Sequence, residues 1–216
     1  MKESIKHLYD ENFDYKFKAS TYNNITIATT AYSRFVKDNE AFFSFDKKKV
    51  LLGHLLTFVV EKQFNDAAFT PTSSYSVHMK EVNKCKYKAL FLDTKDFTVN
   101  LSRTLKRENL PYPSNYKRNL AKNNFDFNDQ FSLFEPQQTS FIEYPKYGLI
   151  TYNYYMGRVT HLDLLLPTYD FKKVYYAENL LEDVGIYQGY VPEELVEANI
   201  VSLKNGLEKE AFENNK

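Results

Sequence analysis

Residues 150–166, ITYNYYMGRVTHLDLLL, decide how this chain is read. Apolar and polar residues alternate on both sides of Met156-Gly157-Arg158, the period of a strand whose successive side chains point to opposite faces. Closing Tyr155 opposite Val159 over those three residues gathers Ile150, Tyr152, Tyr154, Leu162, Leu164 and Leu166 on one face. Thr151, Asn153, His161 and Asp163 then share the other. A shift of one residue would mix the two faces, so the pattern predicts this register and a three-residue loop.

Outward from the hairpin, short runs near 131–134, 139–144 and 172–177, several bounded by Pro or Gly, extend the pattern into an antiparallel meander. Before it, 86–92 and 97–101 read as two strands joined by the turn Asp93-Thr94-Lys95-Asp96. Helical spacing appears at both ends. Residues 47–67 carry Leu51, Leu55, Phe58 and Val59 on a stripe, with Asp46 as the expected N-cap and Pro71 as the stop. Pro192-Glu193-Glu194 opens a closing helix whose stripe is Val196, Ile200, Leu203 and Leu207. Weaker helical patterns at 3–9 and 30–38 flank STYNNITIATT (20–30), which reads as a short strand or a helix approach. The fold class expected is α+β: a helical N-terminal part, an antiparallel β-meander and a C-terminal helix. Residues 1–216 are read as one domain, with a sub-division into 1–122 and 123–216.

Composition sets the class. A chain of 216 residues with 18 Tyr and 18 Phe buries a sizeable core and is not disordered. Lys, Asn, Tyr, Phe and Ile are abundant, which points to an AT-rich genome such as that of a low-GC bacterium or its phages. With Cys85 as the only cysteine there is neither an internal disulfide nor a thiolate cluster, and a cytoplasmic location is expected. The longest apolar stretch, 50–60, is about half the ~20 residues a membrane span requires. No membrane association, cofactor or metal site is expected.

The net charge of zero hides an asymmetry. Residues 1–122 hold 21 Lys and Arg against 13 Asp and Glu, and residues 123–216 hold 7 against 15, so +8 is joined to −8. The segment between the parts interleaves Arg103, Lys106, Arg107, Lys117 and Arg118 with Tyr112 and Tyr116, a combination that neutralises phosphates and stacks on unpaired bases. Lys47, Lys48 and Lys49 stand where a helix begins, a place that offers free N–H groups to an anion. One expectation is therefore a non-enzymatic binding protein contacting nucleic acid or an acidic protein surface. The plainer one is that the two parts neutralise each other within the fold or between subunits of a homo-oligomer.

Catalytic signals are thin. No phosphate-binding or nucleophile-elbow string occurs, and His7, His54, His78 and His161 have no helical metal spacing. His54 sits in the apolar helix, where a hydrogen-bonded core or boundary role is expected. His161 and Asp163 on one sheet face could place a general base beside an orienting carboxylate, which makes a small nuclease or toxin-like enzyme the alternative, with an assembly module as a third reading. Polar residues on an exposed sheet face would need no function at all.

Overall fold

The computed structural model describes residues 3–44, 48–70, 73–84, 86–127, 145–155, 157–182 and 193–213. The predicted strands at 131–134 and 139–144, together with Asp46, Lys47, Pro71, Cys85 and Pro192, lie outside them, as do the side chains of Leu203 and Leu207. Helices α1 (Glu3–Asn12), α2 (Tyr15–Asp38) and α3 (Lys48–Ala68) come first. Strands β1 (Ser76–Glu81), β2 (Lys88–Asp93) and β3 (Phe97–Arg103) follow, then helix α4 (Asn115–Ala121), which runs into a short 3-10 helix, Lys122–Phe127. Strands β4 (Lys146–Tyr155), β5 (Arg158–Pro167) and β6 (Val174–Asn179) precede the closing helix α5 (Glu193–Glu213). The α+β class expected from sequence is the one observed.

The described strands form one six-stranded sheet in sequence order, antiparallel at every step except β3–β4, which is parallel. A parallel neighbour requires a crossover rather than a hairpin, and α4 lies within that connection. The sheet is thus continuous from the basic part of the chain into the acidic part.

The decisive hairpin folds as its pattern requires, with one correction. Thr151 pairs with Asp163, Tyr152 with Leu162 and Asn153 with His161, the predicted register, and the apolar face is buried in the main core. At the tip the register shifts between Asn153 and Tyr154, so Tyr155 faces Arg158 rather than Val159. A bulge, not a three-residue loop, absorbs the extra residue. Gly157 adopts φ +83°, the left-handed conformation that a tight turn asks of glycine.

One face of the sheet packs on α1, α2, α3 and α5 through an apolar core that includes Phe17, Ile25, Val60, Phe64, Leu92, Val99, Ile150 and Leu164. The strand reading of STYNNITIATT does not hold: these residues form the middle of α2. Their β-branched hydroxyls bond back into the helix, Thr26 Oγ1 to the Tyr22 carbonyl (2.9 Å) and Thr29 Oγ1 to that of Ile25 (2.8 Å), so burial of one helix face overrides local propensity. On α3 the stripe is rotated from the predicted one. Leu55, Leu56, Val59, Val60 and Phe64 are buried, while Phe58 and His54 are exposed, so His54 is not a core residue. Within this apolar layer Gln63 donates to Asn24 Oδ1 (3.1 Å) and accepts from Asn199 (2.7 Å), tying α2, α3 and α5 together.

The opposite face carries a smaller apolar cluster, Ala121, Tyr147, Leu149, Leu165 and Phe171. Asn124 fixes the α4 region to it. Its Nδ2 donates to the carbonyls of Tyr147 (2.8 Å) and Pro167 (2.9 Å), and its Oδ1 accepts from the Tyr147 N–H (2.8 Å). The side chain is fully buried. Asn124→Ala would leave two carbonyls and one N–H buried and unpaired, and the expected loss is roughly 2–4 kcal/mol in urea unfolding; a loss below about 0.5 kcal/mol would show that the clamp does not hold the crossover.

Candidate functional site

Part of the charge asymmetry resolves into pairs between the two parts of the chain. Arg34 on α2 reaches Glu193 and Glu197 on α5, its Nη2 donating to Glu193 at 2.8 Å. Lys18 pairs with Glu178 at 2.6 Å, where Tyr9 also donates its hydroxyl. Arg107 lies 3.3 Å from Glu182 and 3.6 Å from Asp163. The internal-neutralisation expectation is met at these contacts.

His161 and Asp163 do share a face with Thr151, but that face is covered rather than exposed. Both side chains are buried under residues 104–108. Thr104 Oγ1 lies 2.9 Å from His161 Nε2, and the Glu108 N–H donates to Asp163 Oδ2 at 3.0 Å. Burial, reinforced by Arg107 and opposed by Asp163, lowers the His161 pKa and favours the neutral ring. The two residues are thus tied to the strand-following segment.

The remaining basic candidates separate into two groups. Lys48, Lys49, Arg103, Lys106, Arg118 and Tyr112 are exposed, whereas Lys117 is buried and Tyr116 is half-buried. The separation follows from a fault in the sheet. Among the described residues β2 and β3 pair only at Phe91–Asn100, Leu92–Val99 and Asp93–Thr98. Beyond these, β2 stays with β1 through Leu90–Met79, Ala89–Lys80 and Lys88–Glu81, and β3 stays with β4 through Leu101–Ile150, Ser102–Thr151 and Arg103–Tyr152. The strands splay, and a wedge-shaped cleft of about 240 Å³ opens between them.

Each wall contributes chemistry. Strand β3 supplies Asn100, Ser102 and Arg103; β2 supplies Ala89 and Leu90, with Tyr87 just before it; α3 supplies Thr57 and Glu61; and the α4 segment supplies Pro111, Tyr112, Tyr116 and Lys117. At the apex Asn100 Nδ2 donates to the Leu90 carbonyl at 2.6 Å, replacing the lost ladder bond, and Tyr147 donates its hydroxyl to Asn100 Oδ1 at 3.2 Å. The Arg103 guanidinium lies over Gly53, where an added Cβ would meet Nη1 at 3.5 Å. Gly53, Thr57 and Glu61 are four residues apart and so share one helical face.

Lys117 lines the cleft with 8% of its surface exposed. Its Nζ donates to Ser102 Oγ at 2.8 Å and stands 5.8 Å from the Tyr116 ring centre. Among the described residues no carboxylate pairs with it. Burial pulls its amine down to about 8, and burial pushes the Glu61 carboxyl on the α3 wall up to about 7. The Tyr116 phenol between them is pushed up to about 12, chiefly by burial and secondarily by Tyr87. A cleft that holds an uncompensated amine and carboxyl can bind an anion on one wall and exchange a proton on the other.

No family model, curated protein or solved structure matches the chain. Function must therefore be argued from the site itself. Sequence reading selected Arg103, Tyr112, Tyr116 and Lys117, which the structure brings together at the cleft, but missed Glu61, Ser102 and Tyr87. Glu61 was hidden as one more polar position on an amphipathic helix. Among the described residues there is no group of three or more His, Cys, Asp or Glu side chains placed to hold a metal, and no helix is long and apolar enough to cross a membrane.

Lys117 gives this site a thermodynamic signature. Its folded pKa lies below the unfolded value, so between about pH 8 and the ordinary lysine range the unfolded chain binds the extra proton and stability rises with pH. Below that window the full cost is present, on the order of 3 kcal/mol. Lys117→Met is expected to raise unfolding stability at pH 7 by up to about 3 kcal/mol and to remove the alkaline gain from the difference between the two proteins. A Met variant less stable than the parent at pH 7 would contradict a charge held against its solvation.

Proposed function

We propose that the chain is a non-enzymatic binding protein for single-stranded nucleic acid, held along the cationic and aromatic rim of the β2–β3 cleft. The observation that carries this reading is the pair of tyrosines at the mouth, Tyr112 with 88% and Tyr87 with 50% of its surface exposed, beside the exposed Arg103. Aromatic faces next to guanidinium and ammonium groups stack on unpaired bases while the charges follow the phosphates.

Other exposed cations extend the rim. Lys84, Lys86 and Lys88 flank Tyr87, and Lys106 and Arg118 belong to the same connecting segment as Tyr112. Glu81 and Glu108 interrupt the positive surface without reversing its sign. Arg107 and Lys117 drop out of the interface suggested by sequence, the first because it is paired with Asp163 and Glu182 and the second because it is buried. An acidic protein would also satisfy the cations, and a duplex would too. A base stack uses the exposed tyrosines as well.

Fluorescence anisotropy with a short labelled oligothymidylate tests the reading. With about four phosphates neutralised, the logarithm of affinity should fall with the logarithm of salt at a slope of about −3, or roughly 50-fold between 50 and 200 mM. Tyr112→Ala should weaken binding by about 1–3 kcal/mol, Arg103→Gln should make the slope shallower, and a duplex should bind less tightly. The proposal fails if low-salt binding is absent, or if it is indifferent to both substitutions.

A further inference from the structure

The cleft behind the rim has a shape and a charge that rim binding does not use. At its inner end the strands converge at the Phe91–Asn100 pair and Asn100 bridges to Leu90, while residues of α3 and of the α4 segment line its sides. At about 240 Å³ it falls below the roughly 300 Å³ where pockets for whole drug-sized ligands begin. A small cleft that narrows to a strand pairing suits the end of a strand better than its middle.

Resting on the single-strand reading above, we infer that the cleft receives the terminal phosphate monoester of the bound strand, with the anion held by Lys117 Nζ and Ser102 Oγ. Lys117 is more than nine-tenths buried, lines this cleft, and spends one of its three N–H donors on Ser102, leaving donors for an oxyanion. A terminal monoester carries about −1.5 to −2 charges against about −1 for an internal diester, and so compensates a buried ammonium better. The ammonium then has a charge partner that none of the described residues provides. Glu61 on the opposite wall opposes an anion only when ionised, and its half-buried carboxyl is largely protonated below pH 7. The other charged or titratable groups lining the cleft are Arg103 on β3, Tyr112 and Tyr116 in the α4 segment and Tyr87 before β2; of these the guanidinium attracts the anion.

The test compares one oligonucleotide bearing a 5′-phosphate, a 3′-phosphate or two hydroxyl ends, bound to the full chain at pH 6.5. One phosphorylated form should bind about ten- to a hundredfold more tightly than the hydroxyl form, the gain of one charge-assisted hydrogen-bonded contact. Lys117→Met and Lys117→Gln should abolish that ratio and leave hydroxyl-ended binding unchanged, while Ser102→Ala should reduce it. At pH 8, where Glu61 is ionised and Lys117 begins to lose its proton, the parent should lose part of the ratio and Glu61→Gln should lose less of it. Inorganic phosphate should erase the advantage without displacing the strand. Equal binding of all three forms, or an advantage that survives both Lys117 variants, overturns the terminal-phosphate site while the rim reading stands. No binding of any form overturns the rim as well. A free nucleoside monophosphate binding as tightly as the phosphorylated strand would keep the anion site and remove the strand from it.

Discussion

The parallel pairing of β3 with β4 over seven residues, from Phe97–Lys146 to Arg103–Tyr152, is the constraint on which the rest of the structure depends. It joins strands separated by more than forty residues and unites the basic and acidic parts of the chain in one sheet. Loop closure of that length costs entropy before any contact forms, so the pairing must be reinforced. Apolar burial supplies most of this, with Val99, Ile150 and Tyr152 packed against the helical layer. Cross-part ion pairs at Arg34, Lys18 and Arg107 add smaller, partly screened contributions.

The cleft lies at the far end of the same strand. Beyond Phe91–Asn100, β3 stays with β4 to its end and β2 stays with β1, and the sheet opens where Ser102 and Arg103 leave Leu90 and Ala89. An open seam between strands exposes backbone groups that a purely structural sheet would pair. Asn100 repairs the first of them, and α3 and α4 cover the rest. Into this gap the chain places Lys117 and Glu61, both shifted toward neutrality by burial. Ser102, Thr151 and Asp163 sit in register across β3, β4 and β5; among the described residues Thr151 Oγ1 and Asp163 Oδ1 have no hydrogen-bond partner, although Arg107 Nε stands 3.6 Å from the latter.

Much of the architecture was legible in the residues. The two faces of 150–166 followed from their alternation, and the start of α5 with buried Val196 and Ile200 followed from helical spacing and acidic residues in the first turn. Three features were not legible, each for a physical reason. The Thr- and Asn-rich part of α2 imitates a strand because its hydroxyl-to-carbonyl bonds exist only once the helix has formed. Lys117 reads as a surface cation because α4 has only seven residues, too few for periodicity to show which face is buried. The splay of β2 from β3 lies between strands whose other edges stay paired with β1 and β4, and no local sequence pattern records it. The basic segment was identified as the join, but sequence could not separate Arg107, which pairs with Asp163 and Glu182, and Lys117, which is buried, from the exposed Arg103 and Arg118.

The central claim is that Lys117 is a buried, uncompensated amine built into a gap in the sheet. Titration of the lysine side-chain amines by heteronuclear NMR, with Lys117 assigned in the full chain, tests it most directly. The account predicts a Lys117 midpoint at about 8, clearly apart from exposed lysines at about 10.4. A midpoint of about 10 or above would contradict it, because the amine would then be solvated or paired and the cleft would offer no unmet charge to a ligand.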